Sequence, residues 1–408
     1  MKGGRGGKGA SGASRIVLVV AFSFNAASAS AQDLAGPWRA ALDLAGGPLR
    51  FAMELEGSGP WQGRLCNGPA CDRFSSITRS ADSLVFDMSD YDATIAAAIR
   101  GDSLVGWYRN VGNRGPRVIP FRAARGRWSV EPAPPRLAGA WDATFDHGTR
   151  TSPRVIELRN GPSGIEASFR ANSGDYGLFW GGAVSDSFDV AHFDGAFVYR
   201  ITGRLDGDTL RGTYHAGLRT QTPWVAVRST GRRHLTPPFE VTRFDTTEVF
   251  RFAFPDLEGR MVTNEDARFR NRVVLVDIFG SWCPTCHDAA PTLVRLYRDY
   301  RDRGFEVVGL AYEVTGDSAI DNRQVRRFRE KFGIPYTLLV AGLNTVEATA
   351  ATLPQLDGFT AYPTAVFLGR DGRIRKVHAG FLGPATGELH ERQVEELRRI
   401  VEELLRGG

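Results

Sequence analysis

The sequence predicts a multidomain protein in which an all-β N-terminal region is followed by an α/β domain. Residues 33–228 alternate apolar and polar side chains in short runs that Gly, Asp, Asn and Pro separate, which is typical of antiparallel strands. The same region contains an internal repeat. Residues 273–291 instead join a continuous apolar run to a helical pattern, as where a buried strand leads into a helix. The 408 residues suffice for two or three domains, each with its own core.

The repeat indicates two copies of one β meander. Leu-Ala-Gly-Pro-Trp38 recurs as Leu-Ala-Gly-Ala-Trp141, and Gly-Asp-Ser-Leu-Val-Gly-Trp-Tyr108 recurs as Gly-Asp-Thr-Leu-Arg-Gly-Thr-Tyr214, at offsets of 103 and 106 residues. Alternation alone leaves open whether the copies form a meander, barrels or a sandwich. We expect both tryptophans to be core aromatics, with a ligand cavity as the alternative, and the identity of any ligand stays open.

The N-terminal residues resemble a cleavable secretory signal peptide. Four basic residues without an acid precede a short apolar core at residues 16–24. We therefore expect an exported, periplasmic protein, with an uncleaved anchor as the alternative. Removal of this segment lowers the net charge from +5 to about +1, which gives no reason to expect a nucleic-acid partner. The predicted boundaries are 1–31 for the signal peptide, 32–130 and 137–229 for the two β modules, and 240–408 for the α/β domain.

The four cysteines fall into two close pairs. An even number in an exported chain is compatible with disulfides. Cys66 and Cys71, in the first β module, predict a structural disulfide that closes a small loop and contributes roughly 2 kcal/mol of stability. The alternative is a second redox pair that exchanges electrons with Cys283 and Cys286.

Cys283-Pro-Thr-Cys286 lies where the strand 273–279 passes through a short turn into a helix. Unpaired N–H groups and the helix macrodipole favour a thiolate there, most of all at Cys283, which we expect to be exposed and nucleophilic. Pro284 keeps the turn stiff, so Cys286 stays within disulfide reach as the resolving thiol. Asp277, in the middle of the strand, would lose its hydration, and the resulting rise in its pKa suits a proton acceptor for Cys286.

With these residues the chain resembles the thioredoxin superfamily, and in particular its TlpA-like exported members. The matching features, in chain order, are Asp277, Trp282, Cys283, Cys286, the Ala-Pro pair at 290–291 and the segment 358–364. The resemblance implies that Pro363 is a cis-proline, that Tyr362 lies beside the sulfurs, and that Trp282 frames the substrate-docking surface. TlpA-like proteins also have a glutamate that tunes the thiols, similar to Glu313, which we expect just after the strand 305–312.

The resemblance further implies the activity. It favours thiol-disulfide exchange without a cofactor, acting as a reductase on protein disulfide substrates and supplied by a membrane or periplasmic redox partner. Other interpretations of the cysteine pair fit less well: Cys-x-x-Cys-His also matches haem attachment, and zinc would need further ligands at metal spacing. A peroxiredoxin would need a different residue pattern before its cysteine. Two alternative functions stay open, namely a ligand-binding or envelope-binding β region with an accessory α/β domain, and a permanent Cys283–Cys286 disulfide.

Overall fold

The computed structural model describes residues 33–57, 60–112 and 115–407. The predicted signal peptide therefore lies outside the described residues. Within them the chain forms two β modules and a C-terminal α/β domain, so the predicted fold class is confirmed. None of the helices in these ranges is long and apolar enough to cross a membrane.

The first β module is a curled antiparallel sheet of nine strands, in the order β4-β3-β2-β1-β9-β8-β7-β6-β5. An isolated bridge between Trp61 and Ile77 connects its two ends. A single 3-10 turn, Ser89–Tyr91, lies between β6 and β7. The strands are β1 (Gly36–Leu44), β2 (Gly47–Glu56), β3 (Gln62–Asn67), β4 (Ala70–Arg73), β5 (Ser76–Arg79), β6 (Ser83–Met88), β7 (Ala93–Arg100), β8 (Ser103–Gly112) and β9 (Gly115–Arg125).

The second β module is a closed barrel of eight antiparallel strands, each paired with its neighbours in sequence. Pairing of the first strand with the last closes the barrel. Aromatic side chains fill its interior, among them Phe145, Phe169 and Trp224. The strands are β10 (Gly139–Asp146), β11 (Thr151–Gly161), β12 (Gly164–Ala171), β13 (Gly174–Val184), β14 (Ser187–Phe193), β15 (Val198–Asp206), β16 (Thr209–Ala216) and β17 (Thr220–Arg228).

The sequence repeat corresponds to the same strand register in both modules. Trp38 of β1 pairs with Arg125 of β9, and Trp141 of β10 pairs with Arg228 of β17. Each guanidinium lies over its partner ring, 5.0 and 3.9 Å from the centroid. Both tryptophans are almost completely buried, so they are core residues that start equivalent strands.

The two modules differ where the first contains its cysteine pair. Cys66 and Cys71 lie opposite each other in the β3–β4 hairpin and are joined by a disulfide. Strands β4 and β5 together take the position that the single long strand β13 takes in the barrel. A continuous strand of the barrel is thus divided into β4 and β5 in the first module, which does not close through an unbroken ladder.

The C-terminal domain has a five-stranded mixed sheet in the order β23-β22-β21-β25-β26. Its central strand, β21, is buried on both faces: Leu275 contacts the core beneath helices α1 and α4, while Val276 points into the opposite core. The sheet strands are β21 (Val273–Phe279), β22 (Phe305–Glu313), β23 (Thr337–Leu343), β25 (Thr364–Leu368) and β26 (Ile374–Ala379). The helices are α1 (Pro284–Tyr300), α2 (Ser318–Phe332), α3 (Val346–Thr352) and α4 (Glu388–Arg406).

Short elements complete the domain. Two-stranded ladders join β18 (Arg243–Phe244) to β24 (Leu356–Asp357) and β19 (Ala253–Pro255) to β20 (Met261–Thr263). Single 3-10 turns are found at Pro238–Glu240, Arg301–Arg303 and Pro384–Thr386.

Two element boundaries in this domain are set by specific contacts. Helix α2 begins at Ser318, because the Asp317 side chain accepts hydrogen bonds from two backbone N–H groups and caps the helix. Strand β22 extends one residue further than expected, to Glu313, which pairs with Leu343 of β23. This extension determines where the Glu313 carboxyl group lies.

Candidate active site

The two cysteines of the C-terminal domain lie at the start of α1. Cys283 is the N-cap residue in an extended conformation, and Pro284 occupies the first helical position, where a missing N–H has no cost. The N–H groups of Cys286 and His287 both donate to the carbonyl of Cys283, at 3.0 and 3.2 Å. Both thiols are free. The strand–turn–helix junction therefore places them on the same helical turn.

The Cys283 sulfur faces the segment that contains the predicted cis-proline. Its thiol donates to the carbonyl of Tyr362 over 3.7 Å. The Tyr362–Pro363 peptide bond is cis, and the Pro363 carbonyl accepts from the N–H of Gly380 at 2.8 Å. The fold therefore brings the cysteine pair and this segment together, although 77 residues separate Cys286 from Pro363.

Asp277 lies under the cysteine pair in the middle of β21. The residue is 5% exposed, and burial raises the pKa of its carboxyl group to about 7. Its Oδ1 atom has no hydrogen-bond partner among the described residues. Burial raises the pKa of the Cys286 thiol as well, with further contributions from Cys283 and from the negative charge of Asp277. The two groups are thus electrostatically coupled in a water-poor environment.

Two aromatic side chains flank the thiols. The Trp282 indole N–H donates to the carbonyl of Tyr312 at 2.8 Å, and its ring meets that of Tyr362 edge to face at 5.6 Å. The Tyr362 hydroxyl is 2.5 Å from Oγ1 of Thr349. Both rings are therefore held in place from behind and only partly exposed on the side of the thiols.

Glu313 differs in position from the sequence-based expectation. It is the last residue of β22, not a loop residue after the strand, and it is only 2% exposed. Its carboxyl oxygens accept from the N–H and the hydroxyl of Ser281, at 2.8 and 2.7 Å. Burial outweighs these hydrogen bonds and raises the pKa of Glu313 to about 8. The carboxyl group thus holds the turn two residues before Cys283.

Sequence reasoning missed Ser281 and His287 as parts of this site. The His287 ring donates through Nε2 to the carbonyl of Ser281 at 2.7 Å, and its Nδ1 lies 3.3 Å from the Lys331 ammonium. Burial and that neighbouring charge lower the pKa of His287 to about 4, so the ring is neutral at pH 7. The available signal was a histidine directly after the second cysteine, which we weighed only as part of a haem-attachment pattern.

The expected exposure of Cys283 is wrong: Cys283 is 3% exposed and Cys286 is 2% exposed. The second β module contacts a residue between them, because the Thr285 hydroxyl donates to the backbone carbonyl of Asp175 at 3.3 Å. A contact between residues 110 positions apart in different modules has no local sequence signal. An isolated domain would be expected to expose this face.

A cleft of about 1100 Å³ beside the start of α1 is lined by all three parts of the chain. Cys71 and Asp72 come from the first module, His192 and Asp194 from the barrel, and Thr285 from the C-terminal domain. The partner of Cys71 in the disulfide, Cys66, is buried. The exposed end of this disulfide thus faces the same cleft as the residue between the two active-site cysteines.

Comparisons with known proteins concern the C-terminal domain. Residues 244–394 match the Redoxin family model. A thiol-disulfide oxidoreductase ResA from Halalkalibacterium halodurans is 25% identical over 155 residues, covering 38% of this chain and 75% of the relative. A thiol-disulfide oxidoreductase ResA from Geobacillus thermodenitrificans is 27% identical over 129 residues, and the match covers 32% of this chain and 66% of the relative.

Among solved structures, a thiol:disulfide interchange protein of the thioredoxin family from Chlorobium tepidum has 22% sequence identity and a TM-score of 0.31. The match covers 40% of this chain and 97% of the Chlorobium tepidum chain. The family-model match and the ResA relatives coincide with the domain that contains the cysteine pair. The C-terminal region of this chain is therefore a thioredoxin-superfamily domain of the thiol-disulfide oxidoreductase type.

Proposed function

We propose that this protein is exported and exchanges the Cys283–Cys286 dithiol with disulfides of protein substrates, acting as a reductase. The observation that carries the proposal is the placement of two free thiols on the first turn of α1, against the Tyr362–Pro363 segment. The ResA relatives support the chemistry. Export and the direction of electron flow rest on the resemblance to TlpA-like proteins, as does a membrane or periplasmic electron donor.

The exchange proceeds in two displacement steps. The Cys283 thiolate attacks one sulfur of the substrate disulfide, and the other substrate sulfur leaves as a thiolate. Cys286 then transfers its proton to the Asp277 carboxylate and attacks the sulfur of Cys283, which releases the second substrate thiolate. Two electrons pass to the substrate, and a Cys283–Cys286 disulfide remains. A carboxyl group with a pKa of about 7 suits reversible proton transfer at neutral pH.

The surrounding residues take supporting roles in this proposal. Trp282 and the Tyr362–Pro363 backbone frame the surface on which the substrate polypeptide docks. Glu313 is a positioning residue, because it reaches Cys283 only through Ser281 and through its charge. The alternative of a ligand-binding barrel is not favoured, because the barrel's own aromatic side chains fill its interior.

A redox titration tests the proposed direction. The C66S/C71S variant, titrated in dithiothreitol or glutathione buffers and followed by Trp282 fluorescence, is expected to show one two-electron transition near about −270 mV. A midpoint near about −120 mV would identify an oxidant, and no transition would exclude exchange. Trp282→Phe is the control, because the chain has eight tryptophans. A second transition in the wild-type protein would show that Cys66–Cys71 is redox-active.

Asp277→Asn is expected to slow the resolving step roughly 100-fold, because Cys286 loses its proton acceptor. Stopped-flow measurement of the decay of a mixed disulfide on Cys283 gives the rate. In the wild-type protein this rate should rise with pH through about 7, and the variant should lack that inflection. Asp256→Asn, at another buried aspartate, is the matched control.

The thermal stability of Asp277→Asn provides a second test of the role of Asp277. Because the pKa of Asp277 is raised from 3.8 to about 7, the folded state holds a proton that the unfolded state releases. The contribution of Asp277 to stability is therefore lost as pH rises from about 4 to about 7, and Asn avoids that loss. The melting temperature of the variant relative to the wild type should increase over this window. A stability change without a rate change would contradict the catalytic role.

Glu313→Gln is expected to increase the rate of Cys283 alkylation by iodoacetamide roughly threefold above about pH 8 and to change it little below about pH 7. Glu313, with a pKa of about 8, becomes negative only in the higher range, where it opposes the thiolate. The glutamine side chain retains an oxygen for the N–H of Ser281. Glu306→Gln, at the other end of β22, is the control. Equal rates for the wild type and Glu313→Gln in this higher pH range would refute the tuning role.

A further inference from the structure

One short segment of the barrel binds the C-terminal domain beside the thiols. We call residues 172–176, at the turn between β12 and β13, the docking segment. The Asp175 N–H donates to the carbonyl of Phe381 at 3.2 Å, and Gly174 forms a parallel bridge with Phe381. The Asp175 carboxylate accepts from the N–H of Gly383 at 2.6 Å. An acid that is 2% exposed thus binds a loop of the C-terminal domain.

The two backbones approach so closely that each side needs a glycine. A Cβ atom on Gly174 would lie 2.3 Å from the carbonyl oxygen of Phe381, and one on Gly380 would lie 2.5 Å from the backbone of Ser173. Both glycines also have positive φ angles. The chain is therefore locally adapted to this contact, which resembles the addition of a short strand to an open backbone edge.

The loop that the docking segment binds, residues 380–383, is part of the thiol site. Gly380 donates to the carbonyl of Pro363, whose neighbour Tyr362 accepts from the Cys283 thiol. The docking segment also accepts from Thr285, between the two cysteines. Cys283 itself is 3% exposed, so a substrate sulfur has little access to its thiol in this arrangement.

We propose that the docking segment occupies the surface on which the client polypeptide binds, and that the client reaches Cys283 by displacing it. This inference rests on the proposed function. The free loop would offer the carbonyl of Phe381, the N–H of Gly383 and the Thr285 hydroxyl, which are partners for an extended backbone. The client chemistry that fits is an extended polypeptide segment with a small residue opposite Phe381 and a hydrogen-bond acceptor at Gly383.

The composition of the contact allows displacement. It includes three hydrogen bonds of Asp175 to the C-terminal domain, which a client backbone or water can replace at small net cost. It also brings two acids together, because the carboxylates of Asp175 and Asp288 both lie next to Gly383. Burial and the nearby Asp175 raise the pKa of Asp288, which shows that these acids oppose each other's ionisation.

Variants of the contact test the proposal through the accessibility of Cys283. In the reduced full-length protein, Asp175→Ala is expected to increase the rate of Cys283 alkylation by iodoacetamide roughly tenfold, measured by peptide mass spectrometry. Asp175→Asn, which keeps an acceptor for the N–H of Gly383, should remain near the wild-type rate. Asp146→Ala is the matched control, because Asp146 caps another turn of the same barrel by accepting from the N–H of Gly148.

A second variant opens the contact from the other side. Gly383 has an ordinary φ angle of −74°, so alanine is tolerated by the backbone, but its Cβ would lie 3.3 Å from the Asp175 carboxylate on one side and 2.3 Å from that of Asp288 in α1 on the other. Gly383→Ala should therefore also increase the alkylation rate, even if Asp175→Ala disturbs the barrel. Reduction of a protein disulfide should accelerate in both variants.

The outcomes separate this inference from the proposed function. If both variants alkylate at the wild-type rate, or if wild-type Cys283 already reacts as fast as in the unfolded chain, the docking segment does not control access. If accessibility rises but Cys283 and Cys286 form no reversible disulfide with glutathione, the proposed function fails while the covering role of the segment holds.

Discussion

Exclusion of water from the start of α1 is the constraint on which the chemistry of this molecule depends. Burial shifts the pKa of three side chains around the cysteine pair: it raises the pKa of Asp277 to about 7 and of Glu313 to about 8, and lowers that of His287 to about 4. All three side chains can thus be neutral close to pH 7.

The β repeat places two equivalent hairpins beside this site, one from each β module. In the first module the β3–β4 hairpin is closed by the Cys66–Cys71 disulfide and faces the cleft next to Thr285. In the barrel the corresponding turn is the docking segment, residues 172–176, which binds the loop at Phe381. The two modules thus place equivalent turns beside the site. One turn is closed by a disulfide, and the other is bound to the C-terminal domain.

Local patterns in the sequence were sufficient to predict the fold class and the position of the cysteine pair at a strand–helix junction. Alternation and the tryptophan repeat predicted two β modules, and the strand–turn–helix pattern placed Asp277 beneath Cys286, because these signals act within one element or across one turn. The contact of Thr285 with the barrel could not be predicted, since its partner Asp175 lies in a turn more than 100 residues away. The link from Glu313 through Ser281 to His287 was equally hidden, because it joins three separate elements through polar contacts without periodicity.

Trapping of a mixed disulfide tests the central claim most directly. Reduced Cys286→Ser protein is mixed with a protein that contains a single disulfide, and the covalent product is mapped by mass spectrometry. Our account predicts a stable adduct through Cys283, formed in high yield with Cys286→Ser and absent with Cys283→Ser. No adduct with either variant, or an adduct through Cys71 alone, would contradict it.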